Sequence, residues 1–302
     1  MKKKIIIVGG DPQSINSEII FKTWKKISLQ NRKNIFLVCN FDLLNKQFKA
    51  LGYKIKLKKV NSLLDNDSDK LKIIDVNLKF KNCFKIPFKN SSTYVKTSLN
   101  IAHKLGLKKE VKAIINCPID KRLLSLAGKN GVTEYLAKKC NIKNSEVMLI
   151  SNLKYSVVPL TTHYDLKEVS KKLKVNYIIN KIVTINKFFK KYFKKKPKIS
   201  ILGLNPHNAE LRRNSEEINK IIPAIKKLKN KGIKISGPFA ADTIFIKNYR
   251  NFDVVAGMYH DQVLAPFKSL FNYEAINITL GLKYIRVSPD HGTATDIIMK
   301  KK

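Results

Sequence analysis

The 302-residue chain carries 60 Lys+Arg against 22 Asp+Glu, a formal net charge of +38, and 44% of its residues are apolar. That balance excludes a disordered polyelectrolyte and supports one large hydrophobic core or two modest ones. No apolar run reaches the ~18 residues that a membrane-spanning helix requires.

A basic surplus of this size first suggests nucleic-acid binding. The basic residues, however, are overwhelmingly Lys, with few Arg for bidentate contacts. They are spread along the whole chain, only 190–198 forms a dense block, and Asn and Ile are abundant beside them. This is the pattern of a compositional drift over solvated helix faces. It predicts a weak, salt-sensitive affinity for polyanions, no specific nucleic-acid partner and no membrane partner. Cys39, Cys83, Cys117 and Cys140 show no C-x-x-C spacing, so neither a disulfide framework nor a cysteine zinc site is expected.

In chain order, Met1-Lys2-Lys3-Lys4 precedes only four apolar residues before Gly9-Gly10. That is too short for a signal sequence, so 5–8 is expected to be a first buried strand in a cytoplasmic protein. Ile15, Ile19, Ile20, Trp24 and Ile27 fall at helical spacing within 14–29. A strand at 35–38 and a helix at 43–51 follow, then an irregular stretch, 53–88. Segment 94–105 reads as a helix with Gly106 as its C-cap. A strand at 113–116 runs into Cys117-Pro118, with helices expected at 121–127 and 133–140. Segments 147–150 and 157–160 suit a hairpin, and Asp165 can cap a helix starting near Leu166. A strand at 199–204, a helix at 215–229 and strands at 254–258, 275–278 and 284–287 complete the set. Such alternation predicts an α/β fold with a mostly parallel sheet. No linker marks a boundary, so the chain is expected to be one two-lobed catalytic unit, 1–302.

Three of the five histidines follow apolar strands, in Thr161-Thr162-His163-Tyr164-Asp165, Asn205-Pro206-His207-Asn208 and Met258-Tyr259-His260-Asp261-Gln262. Loops at the carboxyl ends of strands are where α/β sheets bind ligands, and three imidazoles leave open positions on a metal. Asp165 and Asp261 stand where they could orient the rings or a metal-bound water. His103, on a helix, is expected to be structural, and His291 lies in a loop. A second cluster joins Asn277, Thr279, Arg286 and Asp290-His291-Gly292-Thr293, with Lys121 and Lys268 as further cations. These groups suit a small phosphorylated or carboxylated molecule. Gly-x-Gly-x-x-Gly and the P-loop are both absent, so a dinucleotide would not be held in the Rossmann manner.

Gly203-Leu204-Asn205-Pro206-His207, Gly237-Pro238 with Ala241-Asp242-Thr243, and Tyr259-His260-Asp261-Gln262 resemble the 4-hydroxythreonine-4-phosphate dehydrogenase family. So do Asn277-Ile278-Thr279-Leu280-Gly281-Leu282 and Asp290-His291-Gly292-Thr293-Ala294. The resemblance implies a role in pyridoxal phosphate (pyridoxine) biosynthesis and an isocitrate/isopropylmalate-dehydrogenase-like α/β fold. It also implies a homodimer with an active site shared between subunits, NAD or NADP, and one divalent metal (Zn, Mg or Co). His163, His207 and His260 would be the metal ligands. Thr133, Lys268, Asn277 and Arg286 would bind substrate, and Lys121, Asp242 and Asp261 would be catalytic. The implied reaction is oxidation of 4-hydroxythreonine 4-phosphate followed by decarboxylation of the keto acid.

The departures cluster around this machinery. Val132 stands where the family usually has histidine. The N-terminal turn Gly10-Asp11-Pro12-Gln13-Ser14-Ile15-Asn16 lacks the family's later glycines, and Asn208-Ala209-Glu210-Leu211-Arg212-Arg213 replaces a glycine-rich loop. The chain stops at Lys302, where the family usually continues through one more helix. Two alternatives follow. One is a paralogue dehydrogenase acting on threonate or erythronate 4-phosphate; the other is a weakened homologue that binds metal and ligand without turnover.

Overall fold

The structure is a computed structural model and describes residues 3–125, 131–152, 154–246 and 248–298. It divides into two compact units, Met1–Lys139 with Lys283–Lys302, and Cys140–Leu282.

The first unit opens with β1 (Lys4–Val8), α1 (Asn16–Lys26), α2 (Leu29–Arg32), β2 (Ile35–Cys39) and α3 (Phe41–Ala50). β3 (Leu57–Lys59), β4 (Leu71–Asp75), α4 (Phe88–Gly106), β5 (Val111–Asn116) and α5 (Val132–Lys139) follow. The second unit contains β6 (Val147–Ser151), β7 (Ser156–Pro159), α6 (Leu166–Lys172), α7 (Val175–Phe188) and β8 (Ile199–Leu202). It continues through α8 (Ile222–Asn230), β9 (Ile235–Phe239), α9 (Ala241–Ile244), β10 (Val254–Gly257), α10 (His260–Phe271) and β11 (Ile276–Leu280). The chain then returns to the first unit as β12 (Ile285–Pro289).

In the first unit the strand order is β3-β4-β2-β1-β5-β12, with every neighbouring pair parallel. Parallel neighbours need a crossover between them, which helices supply except between β3 and β4, joined by the helix-free stretch 60–70. β2 is buried at all five positions of Ile-Phe-Leu-Val-Cys, the continuous apolar run of a strand covered on both faces. Trp24, Leu37, Phe48 and Ile73 centre one core, and Phe21 stacks on Tyr53 at 3.9 Å beside it. In the second unit the order is β11-β6-β7-β10-β8-β9, antiparallel at β11–β6 and β6–β7 and parallel from β7 onward. The expected 147–160 hairpin is therefore present. Tyr155, Val157, Val263 and Phe267 centre this unit's core. Among the described residues, no helix is long and apolar enough to cross a membrane.

Several local expectations change. The helix expected from Tyr94 starts at Phe88. Gly106 is its last helical residue rather than a left-handed cap, because a Cβ there would lie 2.6 Å from Ile114 Cδ1 and 3.0 Å from Tyr284 Cδ1. Asp165 precedes α6 but makes no side-chain capping bond. The expected 121–127 helix shows only a 3-10 turn at Lys121–Leu123, and its last two residues lie outside the described ones. Before α8 the chain makes a wider π turn at Glu217–Ile221, since Pro223 has no N–H to return to the preceding turn.

Nor are all the lysines solvated. Lys72 is fully buried in β4, where its ammonium donates to the Arg32 and Asp67 carbonyls and lies over the Phe36 ring. Lys181 is buried against Glu146. A long apolar stem can cross a core when its tip finds acceptors.

Gly106 gives a stability test. At an exposed helical site Gly→Ala would gain up to about 1 kcal/mol. Here Gly106→Ala should instead lower stability by about 1–3 kcal/mol through overpacking, measured by urea unfolding.

Candidate active site

β7, β10 and β8 are adjacent and parallel, so their carboxyl ends share one edge. His163 follows β7, His260 begins α10 directly after β10, and His207 follows β8. The His163 and His260 ring centroids are 5.9 Å apart. A metal bonded at roughly 2.0–2.1 Å lies about 3.2 Å from a ring centre, so one ion can bridge rings up to about 6.5 Å apart. Asp261 Oδ1 lies 2.7 Å from His260 Nδ1, which fixes the ring and presents Nε2 outward.

Buried bonds knit these loops together. Thr161 donates its hydroxyl to the Met258 carbonyl at 2.6 Å. Gln262 accepts from the Met258 N–H at 2.6 Å and donates to the Gly203 carbonyl at 2.8 Å. Glu217, fully buried, accepts the N–H groups of Leu204 at 2.8 Å and Asn205 at 2.9 Å, just before His207. Burial alone would raise the Glu217 pKa, but these bonds outweigh it and hold the carboxyl below its usual range. In the sequence Thr161 and Gln262 are only members of the histidine motifs and Glu217 only the opening of a helix, and their support of these loops became legible only through their contacts.

His207 itself is exposed, on a turn whose residues His207, Asn208, Ala209, Glu210 and Leu211 all have φ between 42° and 57°. This left-handed stretch contains no glycine, and each such residue costs roughly 1–2 kcal/mol. Among the described residues, no group of three or more His, Cys, Asp or Glu is placed to hold a metal ion. The structure thus pairs His163 with His260, and His260 with Asp261, without bringing the full expected set together in one chain. Asp242 is exposed on α9. Lys268 sits eight residues along α10 from His260, roughly 12 Å at the helical rise, with its ammonium near the Tyr273 ring. The Asn277 side-chain oxygen Oδ1 is buried with no hydrogen-bond partner among the described residues, so an incoming donor could satisfy it.

The first unit gathers polar side chains around Arg286. Arg286 on β12 is buried, with its Nε donating to Asn116 Oδ1 at 2.6 Å and its Nη1 to Thr133 Oγ1 at 3.4 Å. Burial pulls its pKa down to about 10, which leaves it charged at neutral pH. Asn116 is a further member that the sequence reading missed. Val132 is the first residue of α5, next to Thr133. Lys121 is exposed on the turn after β5, where neighbouring Asp120 holds Arg122. Across from that turn, Gly10 has φ 75° and a Cβ there would meet the Pro118 carbonyl at 2.6 Å. Asp11 is buried beside it and accepts the N–H groups of Gln13 at 2.9 Å and Asp120 at 3.4 Å. His103 bonds Tyr284, the structural role expected of it.

The profile of the pyridoxal phosphate biosynthetic protein PdxA matches residues 31–302. The 4-hydroxythreonine-4-phosphate dehydrogenase of Sulfurihydrogenibium sp. (strain YO3AOP1) is 38% identical over 304 residues, covering 98% of this chain and 92% of that protein. The D-threonate 4-phosphate dehydrogenase of Salmonella typhimurium (strain LT2) is 31% identical over 303 residues, covering 98% and 92%. The crystal structure of 4-hydroxythreonine-4-phosphate dehydrogenase from Klebsiella pneumoniae superposes with a TM-score of 0.84 at 30% identity, covering 99% of this chain and 95% of that one.

Asp11 carries a pH signature. Burial is the main cause that pushes its carboxyl from 3.8 up to about 6. Because the folded pKa is the higher one, its stabilising contribution is complete below the unfolded pKa and is lost as pH rises through about 6. Asp11→Asn removes the buried charge but weakens the bond from Asp120. It should therefore be about 1–3 kcal/mol more stable than the parent at pH 8 and nearly equal to it at pH 4, by denaturant titration at both pH values.

Proposed function

Since this chain belongs to the family of the pyridoxal phosphate biosynthetic protein PdxA and is an oxidoreductase, we propose that it is a cytoplasmic dehydrogenase of 4-hydroxythreonine 4-phosphate. The observation that carries this reading is the convergence of three histidine loops on one edge of β7, β10 and β8. Arg286, with Thr133 and Asn116, holds an anionic end of the substrate; a buried guanidinium is both charged and preorganised for phosphate or carboxylate. Lys268 and Asn277 serve other substrate groups. The carbinol C–H leaves as hydride to NAD or NADP, and its hydroxyl proton passes to a base. The bond between the carboxylate and the carbon beside the new ketone then breaks, CO2 leaves, its bonding pair passes into the enolate, and a proton returns to that α-carbon. Lys121 and Asp242 are the groups proposed for these proton transfers, while Asp261 orients His260. A divalent ion (Zn, Mg or Co) on His163, His207 and His260 would polarise the alcohol and ketone oxygens.

No three candidate ligands meet within one chain among the described residues, and a homodimer with a shared site accounts for this. A second copy then contributes a ligand to each metal. His207→Ala should lose the metal and nearly all turnover. Mixing unfolded His207→Ala with His163→Ala or His260→Ala and refolding should restore metal to about a quarter of the sites if His207 comes from the partner. No recovery in either mixture would place all three ligands on one chain.

Val132 favours a second reading, in which D-threonate 4-phosphate is the substrate. Valine cannot donate to a substrate oxygen where the family usually offers histidine, and a lost bond to a charged group costs about 1.5–3 kcal/mol. If 4-hydroxythreonine 4-phosphate is the native substrate, Val132→His should change its kcat/KM only modestly. A rise of roughly tenfold or more on that substrate would instead indicate that specificity has moved. Absence of turnover on both acids would reject the dehydrogenase assignment.

A further inference from the structure

The loss of glycines after β1 leaves a question, namely what holds that turn in shape. Ser14 donates its hydroxyl to the Asp11 carbonyl at 2.6 Å and accepts the Asn16 N–H at 3.2 Å. Asn16 is buried, and its amide nitrogen lies 3.0 Å from the Gly9 carbonyl, 3.2 Å from that of Asp11 and 2.9 Å from that of Pro118. The first two acceptors belong to Asn16's own turn. The third belongs to the turn after β5, three residues before Lys121.

β1 and β5 are paired in parallel, so their carboxyl ends emerge side by side. Two further bonds cross between the turns, from the Asp11 N–H to the Pro118 carbonyl at 3.0 Å and from the Asp120 N–H to Asp11 Oδ2 at 3.4 Å. Among the described residues Asn16 supplies the one side-chain donor that joins both turns, adding to the bonds that the Asp11 and Pro118 carbonyls already accept.

We propose that Asn16 is a positioning residue, whose amide locks the Lys121 turn onto the glycine turn and so sets where the Lys121 ammonium reaches. This rests on the dehydrogenase reading, in which Lys121 moves a proton. A catalytic group displaced by about 1 Å can cost up to a hundredfold in rate, so the clamp should act on kcat more than on KM.

The test is a double-mutant cycle on the full-length protein, with Asn16→Ala, Lys121→Ala and the pair assayed on both acids with NAD and NADP. Asn16→Ala should lower kcat by about ten- to a hundredfold with KM within about threefold. It should have little further effect once Lys121 is gone. Asn16→Gly should behave like Asn16→Ala, which provides a second variant if one folds poorly. In parallel, amide hydrogen exchange should speed up at 117–121 in Asn16→Ala while β1 and β5 stay protected. Additive effects of the two substitutions, or unchanged exchange at 117–121, would overturn the proposal. If Lys121→Ala leaves turnover intact, the catalytic role of Lys121 and this inference fail together. If the parent protein oxidises neither acid, the dehydrogenase reading fails and takes the effect on kcat with it, while the exchange measurement still decides whether Asn16 locks the turn.

Discussion

Parallel strand pairing is the constraint on which the rest of this structure depends. A parallel neighbour requires the chain to cross back over the sheet, so every parallel strand ends at the same edge. In the second unit this brings the loops after β7, β10 and β8 to one edge, and with them His163, His260 and His207. In the first unit it places the turn after β1 beside the turn after β5, with Arg286 on the neighbouring strand β12. The chemistry is distributed over distant parts of the sequence because adjacency in a parallel sheet is not adjacency along the chain.

Where glycine is missing, side chains or strain take over. After β1, Ser14 and Asn16 close the turn with hydrogen bonds, so backbone groups that a glycine turn could offer to a ligand are tied into the protein. After His207, Asn208 donates its side-chain amide to the Pro238 carbonyl at 3.2 Å and Arg212 its Nε to the Ala209 carbonyl at 3.4 Å, yet the backbone stays in an unfavourable region. Five consecutive residues keep a left-handed backbone without glycine, and the buried Glu217 pins the segment just ahead of them. A local cost of this kind persists only where the surroundings over-determine the conformation.

The lysine surplus tests the limits of composition as a guide. Most basic residues do lie on the surface, yet Lys72 and Lys181 are buried within a strand and a helix. Each is tolerated because its ammonium meets oxygen acceptors at the end of an apolar stem. A count of charges cannot separate these from solvated lysines, since the difference is made by acceptors contributed from elsewhere in the fold.

The sequence by itself determined most of the strands, but set no bounds for β3 and β4 and gave no strand at β9. Continuous apolar runs such as Ile35–Cys39 fit only a strand buried on both faces, and the motifs around His207 and His260 identified the family. It also picked out Arg286 as a candidate binding residue. Tertiary structure alone decided which groups support these residues. Asn116 meets Arg286 across 170 positions, Asn16 meets Pro118 across 102, and Gln262 meets Gly203 across 59. It also decided that Gly106 serves close packing against Ile114 and Tyr284 rather than a helix cap. Periodicity and motifs report the local backbone and the face that must be buried. Hydrogen-bond partners and steric neighbours are set by which strands pair, and that information appears only once the sheet has formed.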